Sequence, residues 1–215
     1  MIRVIPLVLV VVMAGPVYAP DLQVVTVDFE SGTAEGFKPH DPSSWEVVNE
    51  GGNRAYCLKT PGGQTGAIRK PGAYSLLKEP SFSSFTLTAR VKCLRDPSVK
   101  GRDVLIFFGY QDDTHFYYAH LSNTNDLVHN RILIVDGADR KPIGPAVTIP
   151  KLTGKDYYSV RLRRHLGSGL IEVYVGDTDW PVMTAVDKTF GSGKVGFGSF
   201  DDTACFDDIR LVGLP

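Results

Sequence analysis

The sequence has no excess of charge of either sign: 23 Lys and Arg stand against 24 Asp and Glu, a formal charge of −1. The cations are scattered rather than striped, which removes the electrostatic footprint of a nucleic-acid binder. Glutamate is scarce, six residues against eighteen aspartates, while glycine (22) and proline (14) are frequent. That balance suits turns better than helices, and no helix-period segment of useful length follows the N-terminus. Cysteine is sparse as well. Cys57, Cys93 and Cys205 are odd in number, match no zinc spacing and allow at most one bridge. Each lies in a strand-like run, where the expected role is that of a small buried hydrophobe. Internal repeats, low-complexity tracts and interdomain linkers are also missing. Gly191-Ser192-Gly193-Lys194 lacks the spacing and following helix of a phosphate cradle, and no nucleophile-elbow sequence occurs.

One long apolar run is present, at the N-terminus. MIRVIPLVLVVVMAGPVYA carries one Arg, an apolar stretch from Val4 to Ala14, and small residues up to Ala19. This is the layout of a secretory signal peptide over residues 1–19, with export to the periplasm or medium as its consequence. Pro20 directly follows the expected cleavage point, so a retained anchor is the alternative. Residues 20–215 are enough for one sizeable core, and a single, monomeric domain is expected there.

From Val24 onward the chain alternates strands and turns. Val24–Glu30, Trp45–Val48, Ala55–Thr60, Phe85–Cys93, Tyr157–Arg164, Leu170–Val175, Lys194–Phe200 and Cys205–Val212 read as strands, with a tight hairpin at Gly167-Ser168-Gly169. Phe85, Leu87, Ala89, Val91 and Cys93 share one face of a clearly amphipathic strand. Many short strands with turn signals between them predict an all-β fold of two antiparallel sheets, a jelly-roll sandwich whose terminal strands pair.

The chemistry concentrates between Asp103 and Asp136. Val104–Gln111 and His115–Leu121 flank Asp112-Asp113-Thr114 as a hairpin, and Arg131–Val135 follows a polar connection. Along the second strand Tyr117, Ala119 and Leu121 share a core face, while Phe116, Tyr118 and His120 share the other. That second face is either another packing layer or a wet surface built to stack something flat. In the wet case Tyr118 stacks on a sugar ring, and Asn130, Arg140 and Asp126 bind hydroxyls or a uronate carboxylate. With His120 or His129 as base, Tyr118 opposite and Arg140 on the carboxylate, the same set would support β-elimination from a uronic acid. Three readings stay open: packing, binding of a polysaccharide or oligosaccharide, and catalysis. His40 and His165 stand in polar loops and read as surface.

The strand ending in DFE, FTLTARV, the hairpin YYSVRLRR…GLIEVYVGD, and GKVGFGSFDDTACFDDIRL together resemble the concanavalin A-like lectin/glucanase superfamily. Within it, HFYYAHL, HNRILIV, PVMTAVDKTF and VGFGSFDDT are most similar to secreted bacterial proteins with 3-keto-disaccharide hydrolase or laminarinase-like domains. The resemblance implies a curved sheet that meets glycans. It also implies a structural Ca²⁺ near the chain ends, for which Asp28 and Asp207 are the candidate ligands if the end strands pair. The Glu-x-Asp-x-x-Glu strand of laminarinase-type hydrolases does not occur, so paired-carboxylate catalysis is not carried over.

Overall fold

The computed structural model describes residues 21–64, 66–145 and 152–215. The leader expected over residues 1–19 lies outside them. No helix among the described residues is long and apolar enough to cross a membrane.

Among the described residues fifteen strands make two antiparallel sheets. In chain order they are β1 (Gln23–Val27), β2 (Phe37–Pro39), β3 (Trp45–Glu50), β4 (Asn53–Leu58), β5 (Ala73–Leu77), β6 (Ser84–Cys93), β7 (Asp103–Asp112) and β8 (His115–Ser122). There follow β9 (Arg131–Asp136), β10 (Lys141–Pro142), β11 (Tyr158–His165), β12 (Leu170–Val175), β13 (Met183–Val186), β14 (Lys194–Ser199) and β15 (Ala204–Leu214). One sheet runs β13-β12-β11-β6-β15-β4-β3 with β1 also on β15, and the other runs β10-β9-β8-β7-β14-β5-β2. The expected pairing of the terminal strands is present, Val24 lying opposite Val212. Strands β2, β5, β10 and β13 were not read from the sequence; all are five residues or fewer, too short to show a period.

Strand β15 serves two neighbours in turn. Its first residues pair with β4 and its last with β1, and the ladder to β6 shifts register between Asp207 and Arg210. Asp208 takes a left-handed conformation there (φ 47°). Cys57 and Cys205 face each other across the β4–β15 pair and form a disulfide. This corrects the expectation of three free buried thiols: Cys93 alone is free and buried, and burial pushes its thiol up. The bridge was hidden because register, which brings residues 148 positions apart together, is a tertiary property.

Between the sheets the expected inward set of β6, from Phe85 to Cys93, meets Val104, Ile106 and Phe108 of β7 and Tyr117, Ala119 and Leu121 of β8. The seven-stranded sheet is also covered on its outer side. A second apolar cluster there joins Tyr74, Leu105, Phe107, Phe116, Tyr118, Leu133, Val135 and Phe200. The unbroken apolar run Val104–Phe108 is what a strand buried on both faces looks like.

Candidate functional site

The outer side of the seven-stranded sheet is an aromatic floor under a strap. Phe107 lies 5.2 Å from Tyr74, 5.4 Å from Phe116 and 6.0 Å from Tyr118 between ring centres. Two segments, 66–71 and 137–140, cross above it. They are joined where the Arg140 amide donates to the Arg69 carbonyl (3.0 Å) and the Arg69 amide to Asp139 (2.8 Å). Lys70, itself buried, ties the strap to Asp113 of the β7–β8 turn at 2.8 Å. The guanidinium groups of Arg140 and Arg69 stand 4.1 and 5.3 Å above the Phe200 ring. Arg140 Nη1 donates to the Tyr118 hydroxyl at 3.3 Å, and Arg140 Nε, also buried, has no partner.

Of the two roles open for Phe116, Tyr118 and His120, the structure takes the packing layer. Tyr118, His120 and Asn130 are 0%, 1% and 0% exposed, and burial raises the Tyr118 hydroxyl pKa above its ordinary value. The expectation of an open, wet aromatic face is therefore corrected. Loops over a sheet face are set by tertiary packing, and strand alternation alone cannot distinguish a roofed face from a bare one.

Beside this floor the structure gathers a polar cluster. Asp103 and His120 are directly bonded, Oδ2 to Nε2 at 3.0 Å, each 1% exposed. Asp103 Oδ1 accepts from the Ser199 hydroxyl and, at 2.9 Å, from the Phe200 amide, and the Asp103 amide donates to Asp202 (2.8 Å). Asp202 in turn pairs with Arg95 at 2.7 Å. Burial works to raise the Asp103 carboxyl, but the bonds from His120, Ser199 and the Phe200 amide outweigh it and hold it low. Burial lowers His120, with Asp103 opposing, and burial raises Asp202. The carboxylates Asp201 and Asp202 stand out in the sequence, near the C-terminal end, but the joining of Asp103 with Ser199 and Asp202 is not legible there because nearly a hundred positions separate β7 from the β14–β15 turn. The buried carboxylate at the start of an apolar strand was the available signal.

The loop between β8 and β9 supplies the rest. Asp126 caps it, Oδ1 accepting from the amides of Val128 and His129 (both 2.8 Å), while Oδ2 holds His129 Nδ1 at 2.7 Å. These bonds overcome partial burial and keep the Asp126 carboxyl at about 2. Asn130 is left-handed (φ 52°), which asparagine tolerates better than most residues. Its Oδ1 accepts from the Ser122 amide, and its Nδ2 donates to Thr124 and Asn125. Asn130 thus closes the loop and has no polar atom facing outward. His129 packs on His120, ring centres 4.6 Å apart, and its side chain is 19% exposed. Five of the expected residues do converge: Arg140, Tyr118, His120, His129 and Asp126 form one chain of contacts.

Asp28 and Asp207 do not offer a calcium-type donor set. Asp28 Oδ1 accepts from the Glu30 amide in its own turn. Asp207 is buried, takes bonds from the Asp208 amide and Asn53 Nδ2, and faces Arg90 at 3.7 Å. A cation there would displace an arginine, and calcium wants six or more oxygens. Among the described residues the groups close enough to share an ion are Asp103–His120–His129 and Asp103–Asp201–Asp202.

No protein-family model matches the chain, and no curated protein matches it. Solved structures do. The carbohydrate-binding module CBM66 of Bacillus subtilis superposes with a TM-score of 0.58 at 18% identity, covering 81% of this chain and 94% of that one. The fold is the concanavalin A-like jelly roll. A lectin from Bauhinia forficata, solved in complex with GalNAc, gives 0.54 at 9% identity over 89% and 98% of the two chains. A native glycosidic hydrolase gives 0.52 at 12% identity over 93% and 100%.

The strap carries a pH prediction. Burial works to raise the Asp113 carboxyl, but the bonds from Lys70 and the Tyr74 hydroxyl outweigh it and hold it low. A carboxylate whose folded pKa is depressed adds stability above its unfolded value of about 4 and loses it as pH falls through the folded one. The hydrogen-exchange protection factor of the Arg140 amide is therefore expected to drop on acidification below about pH 4. Asp113→Asn should give low protection at neutral pH and flatten the profile; an unchanged profile would contradict the role of Lys70–Asp113.

Proposed function

We propose that this protein is an exported carbohydrate-binding jelly roll, taking a polysaccharide or oligosaccharide at the mouth formed by Arg69, Arg140, Asp139 and Phe200. The observation that carries it is Arg140: its guanidinium stands 4.1 Å above the Phe200 ring, beside the exposed Arg69 and Asp139. Two guanidinium groups and a carboxylate on one rim suit a sugar, meeting its hydroxyls or a uronate carboxylate. The carbohydrate-binding module and the lectin that share this fold favour the same reading by analogy.

Binding is favoured over cleavage by burial. Of the two candidate bases, His120 is buried like its partner Tyr118, and His129 is only 19% exposed with Nδ1 held by Asp126, whereas a general base must come within hydrogen-bond reach of its proton. A glycan array including uronate-containing chains, with product detection, tests both. Arg140→Ala is expected to weaken binding at least about tenfold with the fold intact. New reducing ends or an unsaturated-uronate absorbance lost in His120→Ala would replace this reading with an enzymatic one. Binding unaffected by Arg140→Ala but lost on Arg163→Ala would move the site to the groove of about 530 Å³ on the other sheet, lined by Thr86, Arg163, His165 and Glu172.

A further inference from the structure

The histidine pair beside the aromatic floor has a pattern of partners that packing does not explain. Each imidazole gives one nitrogen to a carboxylate: His120 Nε2 to Asp103 at 3.0 Å, His129 Nδ1 to Asp126 at 2.7 Å. The Asp126 carboxylate on His129 Nδ1 fixes that ring's tautomer and makes its Nε2 the better donor to a metal. His129 Nε2 makes no hydrogen bond among the described residues. Gly101 lies beside that nitrogen, where even an added Cβ would be 3.6 Å away.

We propose that Asp103, His120 and His129 bind a divalent transition-metal ion of the Zn²⁺ type. One donor atom from each of the three already lies within 4.8 Å of the others: the ion takes Asp103 Oδ2 and His120 Nε2, which now share a hydrogen bond at 3.0 Å, together with His129 Nε2. Movements of about 1 Å, which the loop carrying His129 can supply, bring such atoms to the roughly 2 Å bonds of zinc. Two imidazoles and one carboxylate select first-row transition ions over calcium and magnesium, which take oxygen donors. The alternative group, Asp103–Asp201–Asp202, is disfavoured because Arg95 already neutralises Asp202. Asp103 and His120 are sealed on the protein side while His129 is 19% exposed, so the ion enters from the loop side. Three protein donors leave a fourth position to water.

The test uses the mature chain, free of any histidine tag, stripped with EDTA and titrated with ZnCl₂ by calorimetry, with Co²⁺ absorption as a second probe. One ion per chain is expected, together with a rise in Tm at saturating Zn²⁺. His129→Ala, on a partly exposed loop, should abolish both, and Asp126→Asn should weaken binding about 10- to 100-fold by releasing the ring. His165→Ala, an exposed imidazole elsewhere, should change neither. Absence of saturable binding, binding by Ca²⁺ instead of Zn²⁺, or Zn²⁺ binding of parental affinity in a folded His129→Ala would each overturn the proposal. None of these readouts involves a sugar, so the metal site stands or falls separately from glycan binding.

Discussion

Breaking the Cys57–Cys205 bridge is expected to lower the free energy of unfolding by about 4–5 kcal/mol, the largest loss any single covalent change should cause. The two half-cystines are 148 residues apart, so the bridge closes most of the chain into one loop. Cutting it frees the unfolded ensemble far more than it disturbs the native one, because chain entropy grows with the logarithm of the loop. In the folded state little else depends on it: both sulfurs sit in a buried patch with Ala55, and the β4–β15 ladder survives reduction through its backbone bonds. Urea unfolding of the parent and of the Cys57→Ala/Cys205→Ala variant, compared at equal m-value, measures the difference. A loss under about 1 kcal/mol would show that the unfolded chain is already compact enough to make the constraint redundant.

Asp103→Ala is expected to cost about 3–5 kcal/mol. The carboxylate is 1% exposed and receives three groups, the Ser199 hydroxyl, the Phe200 amide and His120 Nε2. Its removal strands all three away from water, and each stranded donor carries its own desolvation penalty. Asp103→Asn keeps the volume and an acceptor for the Ser199 and Phe200 donors, so its cost should fall to about 1–2 kcal/mol. The order Ala worse than Asn, read from denaturation midpoints, is the discriminating result. Equal costs would mean that the cavity matters and the hydrogen bonds do not.

Much of this molecule was legible in its residues. The alternation Phe85–Cys93, the hairpin around Asp112-Asp113-Thr114 and the closing of the chain ends were read correctly, and all appear as β6, β7–β8 and the β1–β15 pair. These are local or period-two signals, which a strand writes into its own sequence. The neighbourhood of Arg140, Tyr118, His120, His129 and Asp126 was also identified, since those residues lie close together along the chain, from β8 to the turn after β9. What they do there was not. Whether Tyr118 faces water or lies under a strap depends on residues 66–71 and 137–140, whose path over the sheet is set by Lys70–Asp113 and by the Arg69–Arg140 backbone bond.

The sequence by itself determined most of the strands, the sandwich architecture and which side of β8 is the chemical one, because hydrophobic periodicity is imposed residue by residue. Only the tertiary structure decided that this side is buried, that Cys57 meets Cys205, and that Asp103 joins His120 and His129. Each of those depends on strand register and loop closure between positions distant along the chain, and such contacts leave no trace in local pattern.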